Sequence, residues 1–180
     1  MADLVLMMGA PGSGKTTWAR KVISAKTDKY ISRDEIRQSI VKEGEEFFSH
    51  ENEVIDTFAK QVDEALLTTK RYVYVDATHL TPKSRKQILS KLKNKYERLY
   101  GVHIDVSCSM VQQRNAQRIG NALVPYDVVT RMYNSYQKPT EIEGFDAVFE
   151  VGPDGKILID KTTVYSKEEL KWSFFQATRT

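Results

Sequence analysis

The residues best suited to chemistry stand near the N-terminus, in the run Gly9-Ala10-Pro11-Gly12-Ser13-Gly14-Lys15-Thr16. The run matches G-x-x-x-x-G-K-[ST] at every fixed position. A polyphosphate presents many anionic oxygens close together. Backbone N–H groups reach them only where no side chain blocks the approach. Gly12 and Gly14 remove those side chains and allow positive φ. Lys15 adds a mobile cation, and the Thr16 hydroxyl can ligate magnesium. An apolar run from Leu4 to Met8 precedes the motif and a helix-like segment follows. The helix N-terminus then points its positive end at the anion. This pattern predicts ATP and Mg2+ held in a P-loop.

A second group supplies acid–base chemistry. Ser32-Arg33-Asp34-Glu35-Ile36-Arg37 follows a short strand-like run, at the sheet edge that faces the ligand crevice in parallel sheets. A hydroxyl attacking phosphorus must lose its proton, and the Asp34 carboxylate is the candidate acceptor. Arg37, three residues on, shares a helical face with Asp34 and could grip an anionic group on the acceptor. The alternative is a capping Asp beside a solvated Arg. Asp76 ends the run Tyr72 to Val75, where it could contact magnesium through water, anchor an arginine or cap structure. Arg114 and Arg118, four apart on an expected helix, could close over a triphosphate or form a solvated basic face.

These groups must be positioned by alternating strands and helices, the pattern of an α/β domain with a mainly parallel sheet. Strands are expected at Leu4 to Met8, Tyr30 to Ser32, Tyr72 to Val75 and Leu99 to Val106. Helices are expected at Thr16 to Ala25, from Asp34, at Glu51 to Thr69 and from Pro82 after a Thr81 cap. Ser109 with Gln112 resembles a capping box opening the helix of Arg114 and Arg118. Pro125 starts another helix. Val148 to Val151 and Ile157 to Ile159 flank Gly-Pro-Asp-Gly, a hairpin signal. Ser166 with Glu169 caps a last helix. The 180 residues, 41% of them hydrophobic, suit one domain with its own core. That domain would carry a lid at about 114–125 and a C-terminal extension at about 152–180.

Composition narrows the function classes. A net charge of +3 neither announces nor excludes a nucleic-acid partner. The single cysteine, Cys108, can form no internal disulfide, and the leading apolar run is too short to cross a bilayer, so a cytoplasmic protein is expected. His50, His79 and His103 lack metal-ligand spacing with Cys108, and no zinc site is expected. Asn94-Lys95-Tyr96-Glu97 falls short of a guanine-reading N-K-x-D. Lys83, Arg85, Lys86, Lys91, Lys93 and Lys95 read as a solvated basic face, with nucleic-acid tracking as the alternative.

The blocks together resemble phage-type polynucleotide 5′-hydroxyl kinases, within the small P-loop kinases that have an AAA-like ATP-binding domain. The resemblance rests on Gly9 to Arg20, Ser32 to Ile40 and Val75 to Pro82. It extends to Arg114-Asn115 with Arg118, Val124-Pro125 and Arg131-Met132-Tyr133, while Pro139 with Glu143 to Asp146 resembles the wider group of small P-loop kinases, and the blocks together cover roughly Leu4 to Val151. It implies a P-loop three-layer sandwich with a helical lid, followed here by a hairpin and helix. Gly12, Ser13, Gly14, Lys15, Thr16, Thr17, Arg114 and Arg118 would bind the nucleotide, with Thr16 on the metal. Lys15, Asp34 and Arg118 would be catalytic. Arg37, Asp76, Thr78 and Val124 would hold the acceptor, a DNA or RNA 5′-hydroxyl end, with Asp76 orienting Arg37 or supporting the site. His79 stands where the family more usually has Asn. The region lacks a D-x-D-x-[TV] phosphatase motif. Two other readings stay open: a P-loop kinase of a small molecule, and an ATP-binding regulatory module.

Overall fold

Leu4, Leu6 and Met8 lie on one face of the first strand, β1 (Asp3–Met8), and Val5 and Met7 on the other. All five are fully buried. A strand apolar on both faces belongs inside a sheet covered on both sides. The computed structural model, which describes residues 1–92, 95–158 and 163–164, puts β1 there. The remaining strands are β2 (Lys29–Ser32), β3 (Tyr72–Asp76), β4 (Leu99–Ile104), β5 (Ala147–Val151) and β6 (Thr163–Val164). Their order across the sheet is β2-β3-β1-β4-β5-β6. The first five run parallel, and β6 pairs antiparallel with β5.

Helices α2 (Arg33–Ile40), α3 (Glu51–Thr68) and α4 (Pro82–Leu92) cover the face of Leu4, Leu6 and Met8. Helices α1 (Lys15–Val22), α5 (Cys108–Ala116) and α6 (Tyr126–Asn134) cover the other. The expected α/β three-layer sandwich is therefore the fold. The periodic face of α3 explains its place: Val54, Phe58, Val62, Ala65 and Leu66 are all buried against the sheet. Among the described residues, no helix is long and apolar enough to cross a membrane.

Several local expectations are corrected. Helix α1 stops at Val22 because Asp28 folds the chain back: its carboxylate accepts from Ser24 N–H at 2.9 Å, and its own N–H donates to the Ser24 carbonyl. Helix α5 is capped by Ser107, whose hydroxyl accepts from Met110 N–H, and not by Ser109. The Gln112 amide instead donates to Tyr126 O and Thr130 Oγ1, tying α5 to α6. The Thr81 cap is present, with Ser84 N–H donating to its hydroxyl. The Gly152–Gly155 turn forms, with a bridge between Val151 and Ile157. Ile159, the Ser166–Glu169 cap, and the aromatic residues Trp172, Phe174 and Phe175 lie outside the described residues.

The basic run is not a uniform solvated face. Arg85 is fully buried, and its guanidinium donates twice to the Glu143 carboxylate, at 2.6 and 3.0 Å. Lys91 and Lys95 pair with Asp56 and Asp63 of α3.

Candidate active site

After β1 the chain turns through Gly9, Gly12 and Gly14, all at positive φ. At Gly12 the need for glycine is double. Its φ is +88°, and a Cβ there would lie 2.6 Å from the Val111 carbonyl of α5. The loop is thus clamped between α1 and α5. Lys15 is buried, and its ammonium donates to the carbonyls of Gly9 at 2.8 Å and Ala10 at 3.1 Å. Burial pushes its pKa down; Asp76 and Asp34 oppose that shift, and Arg118 adds to it. Both Asp34 and Arg118 therefore lie within electrostatic reach of Lys15.

A cavity of about 420 Å³ opens beside this loop. Gly12 to Trp18 form its floor, Arg114 and Arg118 its cationic side, and Ile104, Val106 and Val151 its apolar side. The Gly152–Gly155 turn closes it. Trp18 Nε1–H donates to the Gly155 carbonyl at 3.0 Å and pins that turn. The buried Ser13 hydroxyl has no hydrogen-bond partner among the described residues. An orphaned donor, a cradle kept open by glycines and three converging cations fit a polyphosphate, and the apolar side fits a planar base. Sequence reasoning missed Trp18 and the turn as pocket residues. Their only signals were the position of Trp18 just past the motif and the Gly-Pro-Asp-Gly run.

Of the roles open to Asp76, its hydrogen bonds place it beside the phosphate loop, and none of them goes to Arg37. Its carboxylate accepts from Thr16 Oγ1 at 2.7 Å and from the Tyr30 hydroxyl at 2.5 Å. Burial and the Asp76 charge push the Tyr30 pKa up, so Tyr30 stays a donor. Asp76 thus belongs with the phosphate loop, because β3 lies directly beside β1 and ends level with it. A Thr hydroxyl and a carboxylate at the loop's end fit a hard, oxygen-seeking cation such as Mg2+.

The partner of Arg37 is Glu51, the first residue of α3. The guanidinium donates to Glu51 Oε2 from Nη2 at 2.9 Å and from Nε at 3.3 Å, and to Asp34 Oδ1 at 2.5 Å. Arg33 also donates to Glu51. Phe47 and Phe48 place their rings 5.1 and 5.0 Å from the Arg37 guanidinium carbon. Arg37 is consequently buried, while the Asp34 side chain, in the first turn of α2, is 70% exposed. The arginine is neither solvated nor open toward an acceptor: it braces Asp34. Ser32 caps this helix by accepting from Glu35 N–H, which sets the position of Asp34. Nothing in the sequence distinguished Glu51 from an ordinary acidic residue in a first turn.

The segment after β3 is stitched to the phosphate loop. Thr78 contributes its carbonyl to Gly9 N–H at 3.0 Å, and His79 Nδ1–H donates to Met7 O at 2.9 Å. Arg85 then holds the His79 carbonyl. His79 is 4% exposed and sits at φ +42°. Burial lowers its pKa from 6.5 to about 4. Its folded pKa is depressed, so the unfolded chain binds the extra proton, and stability falls as pH drops from 6.5 toward 4. His79→Asn tolerates the left-handed backbone and removes the titration. Between about pH 7.5 and pH 5 the parent should lose about 2 kcal/mol more unfolding free energy than this variant. Equal losses in urea titrations at the two pH values would refute the assignment.

Arg114 and Arg118 do not share a helix as expected. Helix α5 ends at Ala116, and the N–H groups of Gln117 and Arg118 bond back three residues in a tighter turn. The Asn115 side chain bonds both backbone groups of Val124, at 2.7 and 3.2 Å, and closes the segment 116–123 into a loop. Val124 is thereby held half-buried against the core on the α1 face. Arg114 Nη1 donates to Ser13 O at 2.9 Å; Arg118 is half-buried and donates from Nη1 to Ala122 O at 3.2 Å. Both still line the cavity.

A parallel sheet, a glycine cradle with its lysine, and a carboxylate across from it define a P-loop, kinase-like ATP-binding domain. The chain belongs to the AAA domain family AAA_33, which matches residues 4–139. Among solved structures it is similar to Kti12 from Chaetomium thermophilum in complex with ADP-AlF3, with a TM-score of 0.59 and 17% identity over 84% of this chain and 89% of that one. A chain of the Pnkp1/Rnl/Hen1 RNA repair complex gives 0.63 and 19% identity; 74% of this chain covers 43% of that one. A putative kinase from Chloroflexus aurantiacus gives 0.67 and 11% identity over 98% and 97%. At these identities the likeness is one of fold.

Proposed function

We propose that this chain transfers the terminal phosphoryl group of ATP to the 5′-hydroxyl of a polynucleotide end. One observation carries the reading. The Asp34 carboxylate stands exposed at the first turn of α2, held by Arg37 and within electrostatic reach of Lys15. The loop amides and Lys15 hold the donor phosphates. Thr16 and Asp76 would hold Mg2+, which supplies neutralisation of phosphate charge when bound. Asp34 accepts the proton of the acceptor hydroxyl as its oxygen bonds to the γ-phosphorus and the bond to the leaving ADP breaks. Arg118 and Arg114 neutralise the charge spread over the transferring oxygens. Most of the acceleration comes from positioning and charge, because the transition state is loose. The resemblance in the Arg33-Asp34…Arg37 block and the RNA-repair chain of like fold support a nucleic-acid acceptor.

A second reading has its own support. Arg37 is buried and engaged by Glu51 and Asp34, which turns it away from an acceptor phosphate and suits a small hydroxyl compound. Incubation with γ-labelled ATP, Mg2+ and a 5′-hydroxyl oligonucleotide should label the oligonucleotide's 5′ end. Label on small hydroxyl compounds alone would transfer the assignment to them. ATP binding without any transfer would mark a regulatory module.

A further inference from the structure

Phe48 is a large aromatic side chain that the fold leaves in water, 67% exposed, next to the acceptor side of the site. It is not on a slack loop. Ser49 N–H and Ser49 Oγ both bond to the Glu46 carbonyl, at 3.0 and 2.7 Å. Glu45 accepts from Lys42 N–H at 2.9 Å and meets His50 at 3.1 Å. The turn is therefore built, and Phe47 meets Phe48 edge-on with centroids 5.1 Å apart.

The ring's surroundings say what it would take. The Arg37 guanidinium carbon lies 5.0 Å from the Phe48 centroid, and the same guanidinium holds Asp34. One guanidinium thus separates the ring from the carboxylate that would deprotonate the acceptor. A cation against one side of an aromatic ring draws its π density toward itself. The outer side then favours an electron-rich flat π-system over an alkyl group. A nucleobase has that chemistry, and stacking on it needs no sequence-specific hydrogen bond.

We infer that Phe48 is a stacking platform for the nucleobase of the nucleotide bearing the reacting hydroxyl. The inference rests on the proposed acceptor and sharpens it: the enzyme takes the acceptor nucleotide through its base.

The test is a cycle of acceptor and enzyme. Two 5′-hydroxyl oligonucleotides, one with a normal 5′-terminal base and one abasic there, are assayed with the parent, Phe48→Ala and Phe48→Trp. Phe48→Ala should raise the KM for the normal acceptor roughly tenfold, and removing the base should raise the parent's KM by a similar factor. The two losses should not multiply, because each removes the same contact. Phe48→Trp should restore the parent KM, and the KM for ATP should stay unchanged throughout. Unchanged acceptor KM in Phe48→Ala overturns the inference. So does an equal loss on normal and abasic acceptors, which would mean the ring acts only by packing on Arg37. A parent protein that labels neither oligonucleotide overturns the acceptor class and this inference together. Labelling with no Phe48 effect overturns the inference alone.

Discussion

Asp34→Asn should lower kcat for phosphoryl transfer by about 10²–10⁴ while ATP affinity is retained. The amide keeps the side chain's shape and can still meet Arg37, but it cannot take the acceptor's proton. The exposed position of Asp34 makes a fold defect a poor explanation for such a loss. Isothermal titration with a non-hydrolysable ATP analogue and single-turnover transfer separate the two properties. Transfer at the parent's rate would remove Asp34 as the base. A parallel fall in ATP affinity would place it on the donor side instead.

The second large effect belongs to Arg118. It is half-buried, its guanidinium makes a single hydrogen bond among the described residues, to the Ala122 carbonyl, and yet it lines the nucleotide cavity and its field reaches Lys15. Such a residue gives little to stability and is available to the transition state. Arg118→Ala should slow transfer by about 10³–10⁵, with the melting temperature unchanged. Arg118→Lys should recover little of it, since a point charge cannot make the paired contacts of a planar guanidinium. A variant that loses less than about tenfold would shift the clamping role to Arg114.

Part of this site was legible because its physics is local. Glycines at fixed spacing, a lysine and a threonine at a helix start act over a few residues, so the phosphate loop could be read directly. The strand-helix alternation and the buried face of α3 follow from periodicity in the same way. Asp34 and Arg37 were visible as a pair three residues apart. Their partners were not. Glu51 stands fourteen residues from Arg37 and reaches it only because α3 packs on α2. Trp18 reaches Gly155 across 137 residues of chain. A hairpin signal says that the chain turns, and nothing about the cavity beside which it turns.

The sequence by itself determined that a phosphate-binding loop joins a buried strand to a helix, and that a carboxylate follows the second strand. Short-range backbone conformation and hydrogen bonding dictate those features, so they can be read along the chain. Only the tertiary structure decided what each side chain does with its charge. It turned Asp76 toward Thr16 and not toward Arg37, buried Arg85 against Glu143, and enclosed Arg37 between a carboxylate and two phenyl rings. It also freed Arg118 from the helix that Arg114 keeps. A charged group is paired with whatever packing brings within hydrogen-bond reach, and that reach is measured through space.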